Sequence, residues 1–109
     1  MSAFMLRVFH PSLDPRKITE ELGLPPQTSW QGSDGSFWQT RLAGAESGRG
    51  DVNAGLADIA ARFAHYRFFV DEMRDGGGRV EVVVASVSDV DPKIVAVFAD
   101  LKIALRFTH

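Results

Sequence analysis

The residues of this chain whose types could do chemistry are three histidines, several loop serines, a run of acids and two tryptophans. His10, His65 and His109 fall in three unrelated stretches and show neither the His-x-x-x-His nor the His-Glu-x-x-His spacing that sets two imidazoles on one side of a metal. Structural or surface roles are expected for them, and no metal is assigned. Ser29, Ser33, Ser36 and Ser47 stand among turn-forming residues, outside any Gly-x-Ser-x-Gly elbow that would expose a nucleophile. Asp71, Glu72 and Asp75 could share acid-base work or hold a cation, but the charged last turn of an exposed helix accounts for them without chemistry. Gly76-Gly77-Gly78 lacks the Lys-Ser/Thr of a phosphate loop and reads as a tight reversal. No cysteine is present, so thiolate chemistry and disulfides are excluded. No catalytic motif remains, an enzyme is not expected, and no cofactor is implied.

Trp30 and Trp38 lie within one segment, PPQTSWQGSDGSFWQTRL, and could form an aromatic slot for a planar or cationic ligand. The structural reading is preferred, because buried indoles anchor small cores. In that reading Trp30, Gly32 and Trp38 make a clasp: Trp30 pins the loop onto the sheet, Gly32 allows the turn, and Trp38 is core. Replacing Trp30 by Ala should then lower thermal stability.

The elements that position these residues follow from periodicity. Residues 3–9 alternate Phe4, Leu6, Val8 against Met5, Arg7, Phe9, which predicts a strand ended by His10-Pro11. Asp14 caps and Pro15 starts a helix with Ile18 and Leu22 on its buried stripe, closed by Gly23. Residues 24–35 read as loop, and residues 36–42 as a second strand with Trp38, Thr40 and Leu42 on one face. Val52, Leu56, Ile59 and Phe63 keep helical phase, which is lost near His65-Tyr66-Arg67 and resumes with Phe69, Val70 and Met73, predicting a kink. Residues 79–87 form the strongest strand, residues 91–101 a helix started by Asp91-Pro92, and residues 102–108 a final alternating strand. The expected fold is α+β: a two-layer sandwich with a four-stranded sheet, β-α-β-α-β-α-β order, and helices packed mainly on one face. With 109 residues, the chain is one domain, residues 1–109.

The stretch HPSLDPRKITEELGLPPQTSWQGSDGSFWQTRL resembles the bacterial domain-of-unknown-function family 4279. The residues that carry the resemblance are Asp14-Pro15, Leu22-Gly23-Leu24 with Pro26, Trp30 with Gly32 two positions on, and Trp38. The loop between Trp30 and Trp38 is shorter than in that family and lacks its basic residue. The resemblance implies a fold and a bacterial intracellular setting; the family has no established activity, so it implies no catalytic residues.

A sheet covered on one side leaves a second face. The core face takes Phe4, Leu6, Val8, Trp38, Leu42, Val82, Val84, Ile103, Leu105 and Phe107. The open face then gathers Arg7, Arg41, Lys102 and Arg106 with Phe9 and Phe37, diluted by Glu81. Such a face could bind an acidic partner, an anion or a single strand, or it could be a solvated face whose charges prevent aggregation. The leading expectation is a small non-catalytic binding or interaction module that uses this face, or the loops around Trp30 and residues 44–50, to hold another protein with an acidic surface. The alternatives are a small-molecule binder or weak enzyme with a pocket near the Trp30 loop and His10 or Asp71 as polar members, and a single-stranded nucleic-acid binder. A net charge of -2 and the lack of an aromatic-rich RNA-recognition strand argue against nucleic acid. An uncovered sheet would also serve a homodimer. No secretion signal or membrane-length apolar run is present and cysteine is absent, so a cytoplasmic location away from membranes is expected.

Overall fold

The computed structural model describes residues 4–42, 52–85 and 90–108. The glycine-rich stretch 44–50, Ser47, the end of the strand expected to reach residue 87, and His109 lie outside the described residues. Among the described residues there are five strands and four helices: β1 (Phe4–His10), α1 (Pro15–Leu22), β2 (Thr28–Gly32), β3 (Gly35–Arg41), α2 (Val52–Phe63), α3 (Arg67–Asp75), β4 (Arg79–Ala85), α4 (Pro92–Leu101) and β5 (Ala104–Thr108). A 3₁₀ turn, Ala64–Tyr66, separates α2 from α3 where the helical phase of the sequence slips. The strands form one mixed sheet in the order β2-β3-β1-β4-β5, antiparallel throughout except for the parallel β4–β5 pair. The first four strands with α1 and the α2–α3 pair follow the split β-α-β, or ferredoxin-like, arrangement. To this α4 and β5 add a parallel crossover on the β4 side.

The α+β class and the helix-on-sheet packing agree with the sequence, whereas the four-strand count and the strictly alternating β-α-β-α-β-α-β order do not: β2 and β3 follow one another as a hairpin, and α2 and α3 are two helices. The fifth strand is β2, which lies inside the stretch read as loop. Every residue of β2 is exposed, so no buried face marks it in the sequence. What makes it a strand is the two-residue turn Ser33-Asp34, which pairs Gly32 with Gly35 and, further up the ladder, Trp30 with Phe37 and Thr28 with Gln39. The last strand is shorter than expected. Lys102 has φ 62° and ends α4 in the left-handed conformation, Ile103 donates its N–H to the Phe98 carbonyl, and only then does β5 begin.

Side chains of alternating strand positions build the core. Phe4, Leu6 and Val8 of β1, Trp38 of β3 and Val80, Val82 and Val84 of β4 are buried against Ile18, Leu56, Ile59, Phe63, Val70 and Phe98 from the helices. Each such side chain contributes about 1.5–3 kcal/mol by leaving water. Trp38 is fully buried, and its indole N–H donates to Thr19 Oγ1 at 3.0 Å, which fixes α1 over β3. Phe107, expected in the core, is instead 41% exposed, because β5 is an edge strand at the rim of the helical layer. Two helices start by the same device. The carboxylates of Asp14 and Asp91 accept the N–H groups of Arg16 (3.0 Å) and Lys93 (2.8 Å), each ahead of a proline-started helix. Among the described residues no helix is long and apolar enough to cross a membrane.

Candidate functional site

Because strand side chains alternate, the positions that face away from the helices fall into rows across the sheet. The first row joins Trp30 of β2, Phe37 of β3, Phe9 of β1 and Arg79 of β4, each directly opposite the next. The rings of Trp30 and Phe37 are stacked, with centroids 6.2 Å apart and planes inclined by 30°. Phe37 and Phe9 follow at 5.1 Å in a tilted pair, and the guanidinium of Arg79 lies over the Phe9 ring, 4.3 Å from its centre. Aromatic pairs in this range are worth about 0.5–1.5 kcal/mol each beyond their burial.

The second row carries Gln39, Arg7 and Glu81, and the third Arg41, Met5, Val83 and Arg106. Arg7 Nε donates to Gln39 Oε1 at 2.7 Å. Glu81 is buried, and its Oε1 accepts from Nε of Arg106 at 2.8 Å and lies 3.2 Å from Nε of Arg79. One buried carboxylate therefore anchors two arginines on the open face. Arg41 is exposed and has no ion-pair or hydrogen-bond partner among the described residues. Among the described residues the rows set Arg7, Arg41, Arg79 and Arg106 against Glu81, so the face is positive on a chain whose net charge is -2.

At the end of the aromatic row a cavity of about 350 Å³ opens between Phe9, His10, Trp30, Asp34, Ser36 and Arg79. His10 Nδ1 accepts the N–H groups of Ser12 (3.0 Å) and Leu13 (2.9 Å), so the imidazole acts as a turn-forming acceptor and carries its ring proton on Nε2. Ser36 Oγ donates to the His10 backbone carbonyl at 3.3 Å and makes no bond to the ring. This is not the geometry of an activated nucleophile, in which the imidazole takes the hydroxyl proton. Among the described residues no group of three His, Asp or Glu side chains converges on a cation position.

The residues singled out in the sequence separate accordingly. Arg7, Arg41, Arg106, Phe9 and Phe37 share the open face. Lys102 is not on it: as the left-handed cap of α4 it points its ammonium at Asp71 of α3, 3.7 Å away, within the helical layer. Arg79 takes its place in the patch. The parity that puts Glu81 on this face also puts Arg79 there, and this was the signal available in the sequence. Trp30 lies on a strand of the open face, 53% exposed, while Trp38 is buried on the opposite side of the sheet. The two indoles therefore share no slot. Because Trp30 belongs to β2, the open face and the Trp30 segment are one surface. His10 and Trp30 line the same cavity, whereas Asp71 is not part of its lining and pairs with Lys102.

A second surface feature lies on the helical side, where Val95 and Phe107 are exposed beside a shallow apolar groove between α4 and β5. A comparison with protein-family models, with curated proteins and with solved structures finds no match for this chain.

Proposed function

We propose that this chain is a non-catalytic binding module whose ligand, an anion, lies on the open sheet face. The observation that supports this best is the row Trp30, Phe37, Phe9 and Arg79, flanked by Arg7, Arg41 and Arg106. A merely solvated face would be served by charges alone, and a half-exposed tryptophan on an edge strand free of charged residues works against solubility. An exposed tryptophan packed on half-buried phenylalanines beside arginines is instead the composition of binding surfaces. The cavity beside His10 belongs to the same site and accommodates part of the ligand. A cytoplasmic setting is part of the proposal, supported by the absence of cysteine.

The test uses two polyanions, poly-L-glutamate and a mixed-sequence single-stranded oligonucleotide, at low salt. The protein should bind at least one of them, and the double variant Arg7→Glu/Arg41→Glu should lose that binding while melting normally. Arg106 is spared because it covers the buried Glu81. Unchanged binding by the double variant, or no binding of either polyanion, would remove the open face as the site.

A further inference from the structure

We infer that the ligand of this face is a short stretch of single-stranded nucleic acid, its bases stacked on Trp30, Phe37 and the Arg79 guanidinium that lies over Phe9, and its phosphates drawn to Arg7, Arg41 and Arg106. This rests on the binding-face reading above and names its ligand.

Three adjacent strands each contribute one ring to a continuous platform, with centroid steps of 6.2 and 5.1 Å. Every base has a π-face, so such a platform binds single strands with little regard to sequence. The Arg79 guanidinium lies over Phe9 and presents its own plane there, on which a base stacks in place of the covered ring. Two residues further along β1, about 7 Å from the row, stands Arg7, and two residues beyond it are Arg41 and Arg106 on either side of Met5 and Val83. Positive charge thus continues away from the aromatic row, with Arg7 nearest to it and Arg41 and Arg106 about 14 Å from it. A nucleic-acid strand offers the matching pair of features, flat bases on one side of its backbone and one negative charge per nucleotide on the other.

The competing occupants use only half of this arrangement. An acidic peptide would satisfy the arginines and leave the aromatic row without a partner. A duplex has charge in excess but hides its base faces in the stack, so Trp30 would gain nothing from it. The net charge of -2 is no obstacle: among the described residues the acid in the rows of this face, Glu81, is buried and paired with Arg79 and Arg106, and Asp34 stands past the end of the aromatic row, at the cavity. The local sign decides attraction at distances within a Debye length of about 8–10 Å.

The experiment is fluorescence anisotropy of a labelled ten-nucleotide oligo-dT and of a duplex of the same length, with poly-L-glutamate as competitor. The intact protein should bind the single strand more tightly than the duplex. Its log K should fall with log salt with a slope of about -2, the value for three phosphate contacts on a single strand. Trp30→Ala should weaken binding by roughly 5- to 140-fold, corresponding to loss of one stacked base, and Trp30→Phe should restore most of it. Circular dichroism melting checks that both variants fold. Equal binding of duplex and single strand, or an affinity indifferent to Trp30→Ala, would overturn the inference. If poly-L-glutamate binds in an Arg41-dependent way and oligo-dT does not bind, the nucleic-acid inference fails and the binding-face reading stands. If neither binds, both fail.

Discussion

Trp30 stacks on Phe37 from the neighbouring strand at 6.2 Å, on the face of the sheet opposite to Trp38. The two tryptophans therefore have different energetic roles. Trp38→Ala removes a fully buried indole and the bond it donates to Thr19, so it should cost about 3–5 kcal/mol or prevent folding. Trp30→Ala removes a half-exposed ring and one stacking contact and should cost only about 1 kcal/mol. Urea denaturation of the two variants checks this. Equal losses would return Trp30 to the role of a buried clasp.

Glu81 is shared by Arg79 and Arg106 through one oxygen. While either arginine remains, the buried carboxylate keeps a partner; removing both leaves it unpaired. Arg79→Ala/Arg106→Ala should accordingly lose more stability than the two single variants added together, by about 0.5–1 kcal/mol, because both guanidinium groups are half in solvent. A double-mutant cycle measures this coupling, and strict additivity would show that the two pairs act independently.

The reversal between α3 and β4 brings Gly78 so close to β1 that a Cβ there would collide with the Phe9 carbonyl oxygen and approach that of Met73 to 3.0 Å. Both neighbours are backbone and cannot turn aside. Gly78→Ala should cost about 2 kcal/mol or more, within the range of overpacked sites. At Gly23, by contrast, φ is 67° and nothing lies within 4 Å of the added carbon, so Gly23→Ala should lose only the backbone term, about 1 kcal/mol. Thermal or urea melts of the two variants give the comparison, and a milder effect at Gly78 than at Gly23 would contradict the close approach.

Asp14 makes the stability of the fold depend on pH. Its carboxyl is held below its ordinary value of 3.8, first by the hydrogen bond from the Arg16 side chain and then by that from the Arg16 backbone N–H. A group with a depressed pKa in the folded state stabilises above its unfolded pKa, and that contribution is lost as pH falls through the folded pKa. Asn caps helices as well as Asp, so Asp14→Asn isolates the charge. The difference in urea midpoint between the two proteins should be level from about pH 5 to 8 and shrink below about pH 4. A difference that grows on acidification would reverse the assignment.

Much of this fold was legible in the sequence because its signals are periodic. Phe4, Leu6 and Val8 announce β1, the Asp-Pro pairs announce α1 and α4, and the phase slip at His65-Tyr66-Arg67 marks the turn between α2 and α3. β2 was hidden for a physical reason: it buries none of its residues, so it has no apolar alternation, and its existence depends on a two-residue turn and on pairing with β3. Missing β2 also concealed the site, since Trp30 joins Phe37 and Phe9 only when that strand is in place. Lys102 misled for a related reason. Its position continues the alternation of β5, but a left-handed helix cap interrupts the phase before the strand starts. Arg79 could have been placed by parity with Glu81, whereas their sharing of one carboxylate with Arg106 depends on the parallel β4–β5 register, which no local pattern encodes.

The measurement that tests the central claim most directly is a two-dimensional amide NMR titration of the labelled protein with ten-nucleotide oligo-dT. The signals of Arg7, Phe9, Phe37, Arg41 and the Trp30 indole should move together, while those of α1, α2 and α4 stay still. Movements confined to the α4–β5 groove around Val95 and Phe107, or an unperturbed Trp30 indole at saturation, would contradict the assignment of the open face as the binding site.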